Sequence, residues 1–138
     1  MTAFVWEDKY SLHIAEIDRQ HQKLFALFNE LYDAMQQGHG SEVIDKVLTS
    51  VVDYCAYHFA FEEKLLREAG FKEEAAHRAE HGKLTDQAKA LARRLKEEGS
   101  DTTVAIATLQ FLGDWLARHI LVSDKSFAPF LIARGVHA

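Results

Sequence analysis

The chain has 138 residues, of which 48% are hydrophobic and 27% are charged, and this balance predicts one globular domain spanning residues 1–138. Its formal net charge of −5 leaves no basic surface to neutralise phosphates, so we expect no nucleic-acid partner. No apolar run is long enough to cross a bilayer and the N-terminus lacks the order of a signal peptide, so we expect no membrane insertion. The single cysteine, Cys55, excludes an internal disulfide, and a cytoplasmic location fits best.

The first part of the chain divides into an arm and a helix. Residues 1–17 mix aromatic and β-branched residues without a helical period, which predicts an extended arm lying over other elements. A helix is predicted to begin near Asp18, because aspartate is a favoured N-cap, and to end at Gly38 and Gly40. His21 lies on the apolar stripe of this helix and therefore faces the predicted core.

A second helix is predicted to begin at Ser41, a suitable N-cap, and to end at Gly70. His58 and Glu62 lie four residues apart on its apolar stripe, and therefore on one buried face. A buried glutamate without a partner is costly or takes up a proton. This placement predicts a cation next to Glu62.

A third helix, about residues 72–98, repeats the spacing with His77 and His81. A fourth helix, capped by Asp101 or Thr102, carries His119 on its inner side. Asp124 follows His119 by five residues, which overshoots one α-helical turn, so the helix should loosen or end there to turn the carboxylate inward. Hydrophobic residues after this point predict a short terminal helix.

Four amphipathic helices with short glycine-bearing turns predict an all-α fold, an up-down-up-down four-helix bundle with an extended N-terminal arm and a short C-terminal helix. Each helix directs at least one potential metal ligand inward. The inward ligands are His21, His58, Glu62, His77, His81, His119 and Asp124. Seven ligands exceed one tetrahedral zinc site but suit two octahedral ions bridged by both carboxylates, and this donor set selects iron, manganese, copper or zinc. Unrelated core histidines and buried acids would leave too many polar groups unpaired.

The segments that carry these residues resemble those of the hemerythrins, and the N-terminal arm resembles the bacterial members especially. The resemblance covers nearly the whole length and fills all seven ligand positions. It rests on Trp6, KYSLHIAEIDRQH ending in His21, HFAFEE with His58 and Glu62, HRAEH with His77 and His81, and WLARHILVSD with His119 and Asp124.

The resemblance implies a non-heme di-iron centre. One iron would be held by His77, His81 and His119 and the other by His21 and His58, with Glu62, Asp124 and a hydroxide or oxide as bridges. The second iron would keep an open position for O2. The apolar residues that match the family's O2 pocket are Leu24, Phe59, Trp115, Leu116 and Ile120.

The implied function is reversible O2 binding for storage, transport or delivery, without catalysis. The donor set agrees, since di-iron oxidases of helical bundles use four or more carboxylates and this site has two. Two alternatives stay open: an O2-sensing domain of a signalling protein, and a di-iron enzyme acting on peroxide or nitric oxide. The partner would accordingly be an oxygen-consuming enzyme or a signalling module. The remaining histidines, His13, His39 and His137, are expected to be solvated.

Overall fold

Five α-helices form within the part of the chain that this computed structural model describes, which is residues 4–38, 41–98 and 102–136. The side chains of residues 41–44, 95, 98 and 102–108 lie outside this description. The helices are α1 (Ala15–Gln36), α2 (Ser41–Ala69), α3 (Glu74–Glu98), α4 (Thr102–Arg118) and α5 (Lys125–Ala133).

The first four helices form a bundle in which each packs against two others. Helix α1 lies between α2 and α4, and α3 closes the ring by contacting the same two helices. Their apolar stripes face one core, with side chains such as Phe28, Leu31, Leu48, Leu66 and Leu112 buried. The predicted all-α four-helix bundle is confirmed. Within the described residues, no helix has both the length and the apolarity needed to span a membrane.

The N-terminal arm lies over α1, as predicted, but it contains a short 3-10 helix at Asp8–Tyr10. Its aromatic residues pack on one ring of α1. Phe4 stacks on Phe25 with ring centroids 4.6 Å apart, and Tyr10 meets the same ring edge-on at 4.8 Å. This aromatic packing attaches the arm to the bundle close to His21.

Asp18 does not cap α1, so that prediction is wrong. The helix begins three residues earlier, at Ala15, after the extended residue Ile14. Asp18 lies in the first turn, and its carboxylate accepts hydrogen bonds from the Leu12 amide at 2.8 Å and from the Ser11 hydroxyl. The Asp18 carboxylate therefore accepts hydrogen bonds from donors of the arm rather than from the first amides of the helix, and the helix begins before it.

Glycines end the first two helices. Gly38, at φ +69°, and Gly70, at φ +77°, adopt the left-handed conformation that follows many helix C-termini. Gly40 and the predicted cap Asp101 lie outside the described residues, as do the side chains of the predicted caps Ser41 and Thr102.

The chain between α4 and α5 is a π-helical turn, His119–Asp124. A π-helix bonds residue i to i+5, so side chains five residues apart lie on the same face. His119 and Asp124 therefore both point into the bundle, where each is buried. The predicted loosening of the helix at this position is confirmed, and so is the short terminal helix α5.

Candidate metal centre

All seven inward residues predicted from the sequence meet in the bundle. Every one is buried, with exposed fractions between 0% and 7%. They form two groups of potential ligands whose donor atoms lie within 4.8 Å of one another. The first group is His77, His81, His119, Glu62 and Asp124, and the second is His21, His58, Glu62 and Asp124. The two carboxylates belong to both groups, which is the arrangement that a pair of bridged cations requires.

Glu62 divides its two oxygens between the groups. Oε1 lies 3.3 Å from Nε2 of His77 and 3.4 Å from Nε2 of His81. Oε2 lies 2.8 Å from Nε2 of His58 and 3.3 Å from Nε2 of His21. The carboxylate thus faces four imidazoles, two with each oxygen.

Asp124 repeats this division from the opposite side. Oδ1 lies 3.1 Å from Nε2 of His119 and 3.3 Å from Nε2 of His77, whereas Oδ2 lies 3.0 Å from Nε2 of His21. None of these contacts has hydrogen-bond geometry, and both oxygens are buried without a hydrogen-bond partner. A fully buried carboxylate of this kind is costly unless a cation compensates it.

The ring nitrogens also point at one another. Nε2 of His21 lies 3.1 Å from Nε2 of His58, and the same distance joins His81 and His119. Each pair can share one proton at most, so at least one lone pair of each pair is directed at the cluster. Imidazole nitrogens and carboxylate oxygens are the donors that iron and similar transition metals bind. The residues therefore fit two cations.

The electrostatics show how the protein compensates the two carboxylates by itself. Burial lowers the pKa of His21, His77 and His119, but the nearby charges of Asp124 and Glu62 outweigh it and raise the pKa to about 9, 9 and 10. Burial likewise opposes ionisation of Glu62 and Asp124, yet the surrounding imidazoles hold both pKa values well below the usual carboxyl range. These shifts favour protonated imidazoles at the positions that metal ions would take.

Three polar side chains outside the cluster support the imidazoles, and sequence reasoning missed them. Each accepts a hydrogen bond from an Nδ1 atom whose ring directs Nε2 inward. The pairs are His58 to Gln20 at 2.7 Å, His81 to Glu63 at 3.1 Å and His119 to Glu80 at 3.0 Å. These contacts orient the rings and fix which nitrogen is free for a metal. Gln20, Glu63 and Glu80 are each a sequence neighbour of a predicted ligand, which was the only signal available.

The predicted apolar pocket residues are all at the bundle core, with two against the imidazoles. Phe59 stacks on His81 with ring centroids 3.9 Å apart, and Trp115 lies 5.8 Å from His119. The other three are buried side chains, namely Leu24, Leu116 and Ile120. Their role in lining an O2 pocket stays a prediction.

Of the histidines expected to be solvated, His13 is exposed, while His39 and His137 lie outside the described residues. Cys55 is buried, and burial raises the pKa of its thiol to about 12. Neither His13 nor Cys55 belongs to the two ligand groups.

Comparison with known proteins agrees with this geometry. The family model "Hemerythrin HHE cation binding domain" matches residues 12–131. A bacteriohemerythrin of Methylococcus capsulatus is 34% identical over 125 residues, covering 91% of this chain and 93% of the relative. One from Stenotrophomonas maltophilia is 36% identical, covering 93% and 81%, and a hemerythrin-like protein of Naegleria gruberi is 31% identical, covering 93% of both. The crystal structure of a wild-type hemerythrin superposes with a TM-score of 0.85 at 30% identity, covering 94% of this chain and 98% of that one.

The fold and the site define a helical-bundle protein with a paired cation site of five imidazoles and two shared carboxylates. The chain belongs to the hemerythrin family. The resemblance seen in its sequence motifs is thereby confirmed.

Proposed function

We propose that this protein binds O2 reversibly at a non-heme di-iron centre, in one domain spanning residues 1–138. The observation that carries the proposal is the division of both buried carboxylates between two groups of imidazoles. His77, His81 and His119 would hold one iron, and His21 and His58 the other. Glu62 and Asp124 would bridge the pair, together with a hydroxide or oxide.

The two irons, when bound, would supply the two electrons that reversible O2 binding requires. The chain's own residues would orient the ligands and exclude water. The outer partners of the imidazoles hold each ring in the orientation that directs Nε2 inward. Phe59, Leu116 and Ile120 would exclude water from the centre, and Leu24 and Trp115 complete the predicted lining. Exclusion of water limits the side reactions that would consume bound O2.

The donor chemistry supports a carrier rather than an enzyme. Anionic oxygen ligands stabilise ferric and higher oxidation states, and carboxylate-rich bundles use four or more of them. Five neutral imidazoles and two carboxylates favour the ferrous state, to which the irons would return when O2 leaves. We expect storage, transport or delivery in the cytoplasm, with an oxygen-consuming enzyme as the recipient.

The test is metal analysis combined with O2 equilibrium measurements on protein loaded with Fe2+ under argon. We expect two irons per chain, a colour that develops with O2, and loss of that colour under vacuum. The exposed residue His13 offers a matched control, because His13→Ala should retain both irons and the reversible colour. One zinc per chain, or irreversible oxidation at the first exposure to O2, would contradict the proposal.

A further inference from the structure

The hydrogen bonds behind the imidazoles differ in charge between the two ligand groups. In the three-histidine group, Nδ1 of His81 donates to Glu63 at 3.1 Å and Nδ1 of His119 donates to Glu80 at 3.0 Å. Glu80 also accepts a hydrogen bond from the Ser123 hydroxyl at 2.8 Å, which fixes its position.

The two-histidine group has no such charges behind it among the described residues. Nδ1 of His58 donates to the amide oxygen of Gln20 at 2.7 Å, and Gln20 is itself buried. The amide nitrogen of Gln20 donates to Glu16 at 2.9 Å, so the amide is oriented with its oxygen toward His58. Nδ1 of His21 is buried without a hydrogen-bond partner.

A carboxylate that accepts a hydrogen bond from a liganding imidazole makes that imidazole a stronger donor to the metal. It also adds a negative charge one ring away from the ion, in surroundings that screen it less than water does. A neutral amide orients the ring but supplies neither the full charge nor the same basicity. The shared carboxylates, Glu62 and Asp124, contribute to both positions equally and so do not create the difference.

We propose that Glu63 and Glu80 act as positioning residues that make the three-histidine position the tighter of the two. The protein would then load its ions in sequence and form a stable single-ion state with the second position empty. This inference rests on the proposed di-metal function and adds to it an order of loading. The two-histidine position, backed by the neutral amide of Gln20, would be the one that exchanges its ion.

The test is a titration of the metal-free protein with Co2+ under argon, followed by calorimetry and electron paramagnetic resonance. With one equivalent, we expect a signal from isolated Co2+ at nearly full intensity. The second equivalent should weaken this signal, because ions bridged by Glu62 and Asp124 couple magnetically. Loss of the second step alone in His58→Ala would place the first ion at the three-histidine position.

The contribution of the outer carboxylates is measured with Glu63→Gln and Glu80→Gln, which keep an acceptor but remove the charge. Each should weaken the first binding step about 10- to 100-fold while changing the second much less. Glu68→Gln is the matched control, because Glu68 is an exposed residue of the same helix as Glu63 and, within the described part of the chain, pairs with Lys64 alone, at 4.0 Å. The reciprocal variant Gln20→Glu should tighten the second step.

The possible results separate the two levels of inference. If the isolated-ion signal never develops because ions enter in pairs, the order of loading is wrong. If both glutamine variants leave the ratio of the two affinities unchanged, the role given to Glu63 and Glu80 is wrong. In either case the di-metal site stands. If the protein takes up no Co2+ at all, the proposed function is overturned together with this inference. Stepwise loading that becomes less distinct in Glu63→Gln and Glu80→Gln, but not in Glu68→Gln, supports it.

Discussion

Metal-free protein should become less stable as the pH rises from about 6.5 to 9. His21 and His77 have folded-state pKa values of about 9, and His119 has one of about 10, compared with the ordinary value of 6.5. A group whose pKa is raised by folding stabilises the fold fully below its unfolded pKa, and this stabilisation is lost as the pH rises through the folded value. The stabilising protons should therefore be lost across the alkaline range.

The size of the effect follows from the number of protons. Each proton that the folded chain retains and the unfolded chain has lost changes the free energy of unfolding by about 1.4 kcal/mol per pH unit. Three such protons give a slope of up to about −4 kcal/mol per pH unit near pH 8. Total stabilities of domains are only about 5–15 kcal/mol, so the metal-free protein should unfold in mildly alkaline buffer.

The acid side has the opposite sign. Glu62 and Asp124 have pKa values lowered by the same contacts, so their stabilisation is present above the ordinary carboxyl range and is lost as the pH falls. The metal-free protein should consequently be most stable between about pH 4.5 and 6.5, where carboxylates and imidazoles are both charged. The stability of the metal-loaded protein should depend on pH differently. Bound ions displace the protons, and protons compete with the ions less as the pH rises.

The assay is urea denaturation of chelator-treated protein at pH 6, 7, 8 and 9, with the loaded protein measured in parallel. Asp124→Asn is the matched variant, since it removes a charge that faces His21, His77 and His119 and should flatten the slope. A free energy of unfolding that is constant or rises over this range in the metal-free protein would refute the reasoning. So would an Asp124→Asn variant with the same slope as the unchanged protein.

Two further predictions concern single residues of the centre. Glu62→Ala should leave fewer than two ions per chain and lower the melting temperature of the loaded protein, because Glu62 faces four imidazoles. Metal analysis and calorimetry test this, with Glu68→Ala as the control. Full occupancy at an unchanged melting temperature would show that Glu62 is not a bridge. Leu116→Ala should cost about 2–5 kcal/mol of stability and shorten the lifetime of the O2-dependent colour, since a cavity then admits water next to the centre. The exposed residue Val122 provides the control Val122→Ala, and an equal colour lifetime in both variants would place the pocket elsewhere.

Local spacing in the sequence accounts for most of the fold and for the inner cluster. The pairs His58 with Glu62 and His77 with His81 lie four residues apart on helices whose apolar stripes define the buried face, so their convergence is a consequence of helical periodicity. The five-residue gap from His119 to Asp124 is also local, because only a loosened helix directs both residues inward, and the structure has a π-helical turn there. The end of α2 is also determined locally, because Gly70 adopts the left-handed conformation that ends a helix.

Contacts between distant segments were decided only by the tertiary structure. Aspartate is a favoured N-cap, and propensity alone made Asp18 the start of α1, but the arm folds back and occupies its carboxylate. Gln20, Glu63 and Glu80 support imidazoles between 18 and 39 residues away in the chain. Such pairings depend on how the helices are rotated and spaced against one another, which no periodicity within a single helix encodes. The inner cluster could thus be predicted from the sequence, whereas the charges behind it, which distinguish one group of potential ligands from the other, required the folded bundle.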